Sequence, residues 1–200
     1  MFENFGYSAI NLGKHSVDLG DVLHTYKFKL EDGTKYVVNL QVFENINTCV
    51  VKFYLNKHRN SPNKFNAMAN KGKAKEVFKT VLKISLKFFS EHPTLSFGFI
   101  GANRLDRSNQ RGVESYDNTC RFNVYTYLAM SARFGKNKID SVSILDKFDV
   151  FQDEKSSIML LVNLDNNDAD KLKCEVERIV NEDYQDIFGI DLNVQFNRYH

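Results

Sequence analysis

Two hundred residues, 42% hydrophobic and 26% charged, with a net charge of only +2, have the composition of an ordinary globular chain able to bury one core. No run approaches the roughly 18 apolar residues of a membrane-spanning helix. Cys49, Cys120 and Cys174 are too far apart and too few for a disulfide framework or a zinc site, so reduced thiols in a cytoplasmic protein are expected.

Residues 1–21 show little periodicity and are expected to form an irregular N-terminal arm, with no basic start and apolar block to mark a secretion signal. From Tyr26 the pattern alternates, with Tyr26, Phe28 and Leu30 on one face and Lys27 and Lys29 on the other. Asp32-Gly33 is a hairpin signal, because glycine takes up positive φ at little cost. The return strand carries Tyr36, Val38, Leu40 and Val42, and "TCVVKFYL" (48–55) makes a third with Cys49, Val51, Phe53 and Leu55 inward. Together these predict a three-stranded antiparallel meander. A 17-residue polar stretch (56–72) follows, long enough to suggest a functional loop.

A helix is predicted from Lys73 to Glu91. Ala74, Val77, Phe78, Val81, Leu82, Phe88 and Phe89 form its apolar stripe, Lys75, Lys79, Lys83 and Lys87 recur on another face, and Pro93 ends it. "TLSFGFI" (94–100) is expected as a buried strand, then a polar loop with Arg104, Arg107 and Arg111, then a helix over 119–132 stopped by Gly135. "IDSVSI", "KFDVF" and "SSIMLLVNL" predict further strands. Asn167 or Asp168 caps a last helix with Leu172, Val176, Ile179 and Val180 inside, and Leu192, Val194 and Phe196 suggest an edge strand. With no linker or repeat in view, 1–200 is taken as a single α+β domain: the arm, a core over 24–164, and a C-terminal helix and edge strand over 165–200.

Meander, helix, strand, helix and further strands is an order that resembles the GNAT acetyltransferase-like fold, a mixed sheet with flanking helices. It is also similar to an uncharacterised group of short bacterial domains. In "ANKGKA", Gly72 and Ala74 stand at family positions, while Ala69 replaces the expected Gln or Arg. In "NTCRFNVYTYL", Asn118, Tyr125 and Leu128 fall at family spacings. The resemblance implies acetyl-CoA or another acyl-CoA as cofactor. Its pyrophosphate would lie against Lys71, Gly72, Lys73 and Ala74, with Asn118 nearby and Tyr125 as the acid that protonates the departing thiolate. The third strand lacks the family's carboxylate, which leaves His58 as candidate base.

The residues themselves point to an anion. Free N–H groups at a helix start attract phosphate oxygens, Gly72 permits close approach, and the flanking lysines add charge. Residues 52–121 hold fourteen Lys/Arg against five Asp/Glu, a net of +9, whereas 145–191 hold five against thirteen, a net of −8. The alternative to a phosphate-bearing small molecule is therefore a non-enzymatic basic module. Lys57, Arg59, Lys64, Arg104, Arg107 and Arg111 would bind nucleic acid or an acidic protein partner, with Phe65 and Tyr116 able to stack on bases. A third reading is a toxin–antitoxin or phage-defence subunit acting through the acidic C-terminal helix, in keeping with an AT-rich microbial or phage composition. The scattered histidines and "DNNDAD" lack metal-site spacing, so no metal is expected. Nothing in the sequence fixes an oligomeric state.

Overall fold

Alternating apolar and polar residues over 22–55 become three antiparallel strands in the computed structural model, which describes residues 8–16, 21–61, 64–66, 73–101, 119, 121–126, 147–165, 168–183 and 194–198. The protein is α+β. Its chain divides into two compact units, one holding the described residues up to Leu95 and the other those from Ser96 onward.

In the first unit, β1 (Ala9–Ser16), β2 (Val22–Lys29), β3 (Lys35–Phe43) and β4 (Thr48–Leu55) lie in sequence order, each antiparallel to the next. Asp32-Gly33 turns the β2–β3 hairpin as expected. Gly33 has φ 83°, the Leu30 N–H donates to Thr34 O at 2.8 Å, and Asp32 Oδ1 accepts from the Thr34 N–H at 2.9 Å. Tyr26, Val38 and Phe53 stand opposite one another across three strands, as do Phe28, Tyr36 and Leu55, and all are buried.

β1 corrects the expected irregular arm. Each of its eight residues is exposed, and its register on β2 slips between Asn11 and Gly13, where Gly13 has φ 102°. A bulge of this kind breaks the two-residue period, and a strand exposed on both faces has no apolar alternation to read.

Helix α1 (Ala74–Glu91) covers the inner face of this meander. Val77, Phe78, Val81, Ile84, Phe88 and Phe89 are buried, and Phe78 packs edge-on against Phe53 with ring centroids 5.5 Å apart. Each phenylalanine taken out of water here contributes about 2–3 kcal/mol. The buried stripe includes Ile84, while Ala74 is exposed and Leu82 half-buried, so the contact face is rotated slightly from the predicted one. The His92 N–H closes the helix on Phe88 O and Phe89 O, and Pro93 prevents its continuation.

In the second unit, β5 (Ser96–Ile100), β6 (Phe148–Asp153), β7 (Ile158–Asn163) and the short edge strand β8 (Asn197–Arg198) are ordered β5-β7-β6-β8, with every pairing antiparallel. All six residues of central β7 are buried, and 158–162 read as a continuous apolar run. Helical residues 121–126 form α2. Helix α3 (Ala169–Asp183) buries Leu172, Val176, Ile179 and Val180 as expected. Asp168 caps it, its Oδ1 accepting from the Asp170 and Lys171 N–H groups, both at 3.1 Å. The edge strand is tied back to this helix, since Asn181 Oδ1 accepts from the Val194 N–H at 2.9 Å and Glu177 Oε1 from the Phe196 N–H at 2.6 Å. The predicted strand "IDSVSI" lies outside the described residues.

Candidate nucleic-acid interface

At the start of α1, Lys71 and Gly72 lie outside the described residues, and Lys73, Ala74 and Lys75 are exposed. Lys73 occupies the cap position with no side-chain cap bond, its carbonyl accepting from the Val77 N–H at 3.1 Å. An anion belongs at this end of a helix, and the first turn supplies one of its own in Glu76. Its Oε2 is buried and, among the described residues, has no hydrogen-bond partner. A pyrophosphate brought to Lys73 and Ala74 would meet that carboxylate, so this described part of the implied CoA site fits the cofactor poorly.

Tyr125 on α2 is buried, with its ring 5.0 Å from that of Phe99. Burial raises its phenol well above the ordinary range, only partly offset by the Arg121 charge. Thr119 caps this helix: its Oγ1 accepts from the Phe122 N–H at 3.2 Å and donates to Gly101 O at 2.7 Å. The Thr119 N–H donates to Ser157 Oγ at 2.9 Å, and the Gly101 N–H to Ser157 O at 2.8 Å. A Cβ on Gly101 would sit 2.6 Å from Thr119 Oγ1 and 2.8 Å from Phe122 N. This glycine serves close packing of strand end, helix start and turn. A tyrosine held behind such a joint has the surroundings of a core residue. Asn118 lies outside the described residues.

The outer face of the meander, opposite α1, gathers polar groups instead. Thr25, Asn39 and Lys52 stand directly across β2, β3 and β4 from one another, and Thr25 Oγ1 donates to Asn39 Oδ1 at 3.4 Å. Lys52 Nζ donates to Gln41 Oε1 at 3.0 Å, and Gln41 Nε2 to Oδ2 of buried Asp21 at 2.9 Å. Lys52 is half-buried. Desolvation pulls its pKa down to about 8, with Lys64 pulling the same way and Asp21 opposing.

Two residues along the same face, Tyr54 meets Phe65 edge-on, ring centroids 5.5 Å apart at 90°. Lys64 Nζ lies 5.2 Å from the Tyr54 centroid and 5.1 Å from that of Phe65, within cation–π range of both. Burial raises the Tyr54 phenol, while its hydrogen bond with Asn39 and the nearby Arg59 charge pull it back. Successive tight turns bring these groups together. The Arg59 N–H donates to Asn56 O, the Ser61 N–H to His58 O and the Lys64 N–H to Ser61 O, returning the chain to β4 so that 64–66 lie over it.

Of the basic residues expected in the loops, Lys64 thus lies against the aromatic pair, and the Arg59 charge is near enough to pull the Tyr54 phenol down. Exposed Lys57 and half-buried His58 sit in the 3-10 turn that leaves β4. Arg104, Arg107, Arg111 and Tyr116 lie outside the described residues. Lys52, Tyr54, Asn39 and Gln41 were not expected in a site. Their only sequence signal is the alternation that places Lys52 and Tyr54 on the face opposite Val51 and Phe53.

On the acidic side of the charge map, α3 neutralises much of itself. Arg178 pairs with Glu175 and Glu182, and Lys173 with Glu177 at 3.8 Å. Among the described residues no group of three or more His, Cys, Asp or Glu is placed to hold a metal ion, and no helix is long and apolar enough to cross a membrane. No family model, curated protein or solved structure matches the chain.

Proposed function

We propose that this protein is a basic binding module for nucleic acid, held on the outer face of the β2–β3–β4 meander. The observation that carries this reading is the placement of Lys64 over the Tyr54–Phe65 pair, with Lys52 and Arg59 close enough to act on the charges of this patch. Cations beside flat aromatic surface suit a ligand that alternates phosphates with bases. From Asn45 to Lys75 the sequence has seven Lys/Arg and no Asp or Glu, so nothing within this stretch opposes a polyanion. An acidic protein partner would use the charge but leave the aromatic pair without a role. In this reading the GNAT-like order of elements supplies a scaffold, and no acyl-transfer step is derived from it.

The test is binding of a labelled oligonucleotide at two salt concentrations. Three fully charged contacts from Lys57, Arg59 and Lys64 give a log–log salt slope of about −2 on single strands, a roughly 20-fold loss of affinity between about 50 and 200 mM. The double change Arg59→Gln, Lys64→Gln should flatten that slope. Absence of binding at low salt, or binding that ignores both the salt and the double change, contradicts the proposal.

A further inference from the structure

Resting on that reading, we infer that the ligand is single-stranded, with one unpaired base seated on Tyr54 beside Phe65 and its neighbouring phosphates on Lys64, Arg59 and Lys57. Inside a duplex each base has both faces covered by its neighbours, and offering one to a protein ring requires unstacking that costs a few kcal/mol per step. A single strand has that surface free, and base–aromatic stacking tolerates any base. The platform is prepared before a ligand arrives. The Tyr54 and Phe65 rings already stand at 90° with centroids 5.5 Å apart, and Lys64 Nζ lies 5.2 and 5.1 Å from the two centroids. Fixing these groups in the free protein lowers the ordering cost of binding.

A duplex has a different place to go on this unit. Lys75, Lys79, Lys83 and Lys87 recur along α1, the helix that covers the opposite, inner face through Phe78 and Phe88. Contacts from that row would be made to backbone phosphates and would not involve Tyr54. The two faces therefore predict different strand preferences and different sensitive residues.

The experiment measures fluorescence anisotropy of a labelled oligo-dT of about 12 nucleotides, a length within the usual range for one single-strand site, against a duplex of the same length. Single-strand binding should be at least tenfold tighter. Tyr54→Ala should weaken it about tenfold with the salt slope unchanged, and Tyr54→Phe, which keeps the ring, should restore most of the loss. Lys64→Gln should instead reduce the slope by about 0.7, and Lys79→Gln with Lys83→Gln should leave single-strand binding as it was. Far-UV circular dichroism checks that each variant folds. A second readout avoids truncation: the chain has no tryptophan, so Tyr54→Trp creates a single reporter whose emission should be quenched on binding the strand. Equal affinity for duplex, equal losses in Tyr54→Ala and Tyr54→Phe, or an unquenched reporter overturns this inference while leaving nucleic-acid binding intact. Failure of both oligonucleotides to bind at low salt overturns the two together.

Discussion

Replacing Lys52 with methionine should make stability depend on pH in a way that exposes the polar face of the meander. Lys52 has a folded pKa of about 8 against an ordinary 10.5, so the folded state holds its proton less tightly than the unfolded one. The sign follows from linkage: the charged form weakens the fold at neutral pH, and stability is recovered as pH rises from about 8 towards the unfolded value. Taken at face value the shift corresponds to about 3 kcal/mol at pH 7, most of which is regained by pH 10. Solvent screening at a half-buried site reduces the regain to about 1–2 kcal/mol. Lys52→Met removes the buried charge and also the bond from Nζ to Gln41 Oε1, a loss of about 1 kcal/mol at every pH. The variant should therefore equal or exceed wild type at pH 7 and fall below it at pH 10. Urea unfolding followed by circular dichroism at the two pH values gives the difference, in which other titrating groups cancel. A difference that does not move with pH would show that Lys52 titrates as an ordinary surface amine, and the argument from burial would fail.

Other expectations concern the frame. His24 packs edge-on against Phe88, centroids 4.7 Å apart, and desolvation, then the charges of His92 and Lys14, lower its pKa, with Glu91 opposing. Its contribution to stability is present above about pH 6.5 and lost as pH falls, so His24→Phe should flatten the acid side of the stability profile between about pH 7 and 5. Phe78→Ala should cost about 3–5 kcal/mol in urea unfolding, because the Phe53 contact and a buried ring are both lost. Gly101→Ala should cost about 1–3 kcal/mol, since its methyl group would press on the Phe122 backbone nitrogen; unchanged stability would show that the joint around Thr119 can give way.

Legibility followed burial. The meander and α1 could be read because Tyr26, Val38, Phe53 and the Val77–Phe88 stripe repeat with the periods of strand and helix, and because Asp32-Gly33 and Pro93 mark a turn and a stop. Asp168 was readable as a cap for the same local reason. β1 was not, because a bulge at Gly13 and exposure on both faces erase any period. The candidate site was legible only in part. Arg59, Lys64 and Phe65 stood out as basic and aromatic residues in one loop, but Tyr54 and Lys52 looked like the solvent side of a strand. Their adjacency to Asn39, Gln41 and Asp21 arises from cross-strand register, which no local window contains. Tyr125 stands out in the sequence for a different reason. Its family spacing resembles chemistry on paper, and in the fold its ring is buried beside Phe99.

The most direct measurement is zero-length photocrosslinking of the full chain to an oligonucleotide carrying bromodeoxyuridine, followed by peptide mapping. Crosslinks concentrated on Tyr54 and Phe65, and abolished by high salt, are the predicted result. Crosslinks confined to α1 or to the second unit, or none at all under low-salt conditions, would contradict the placement of the ligand on the meander.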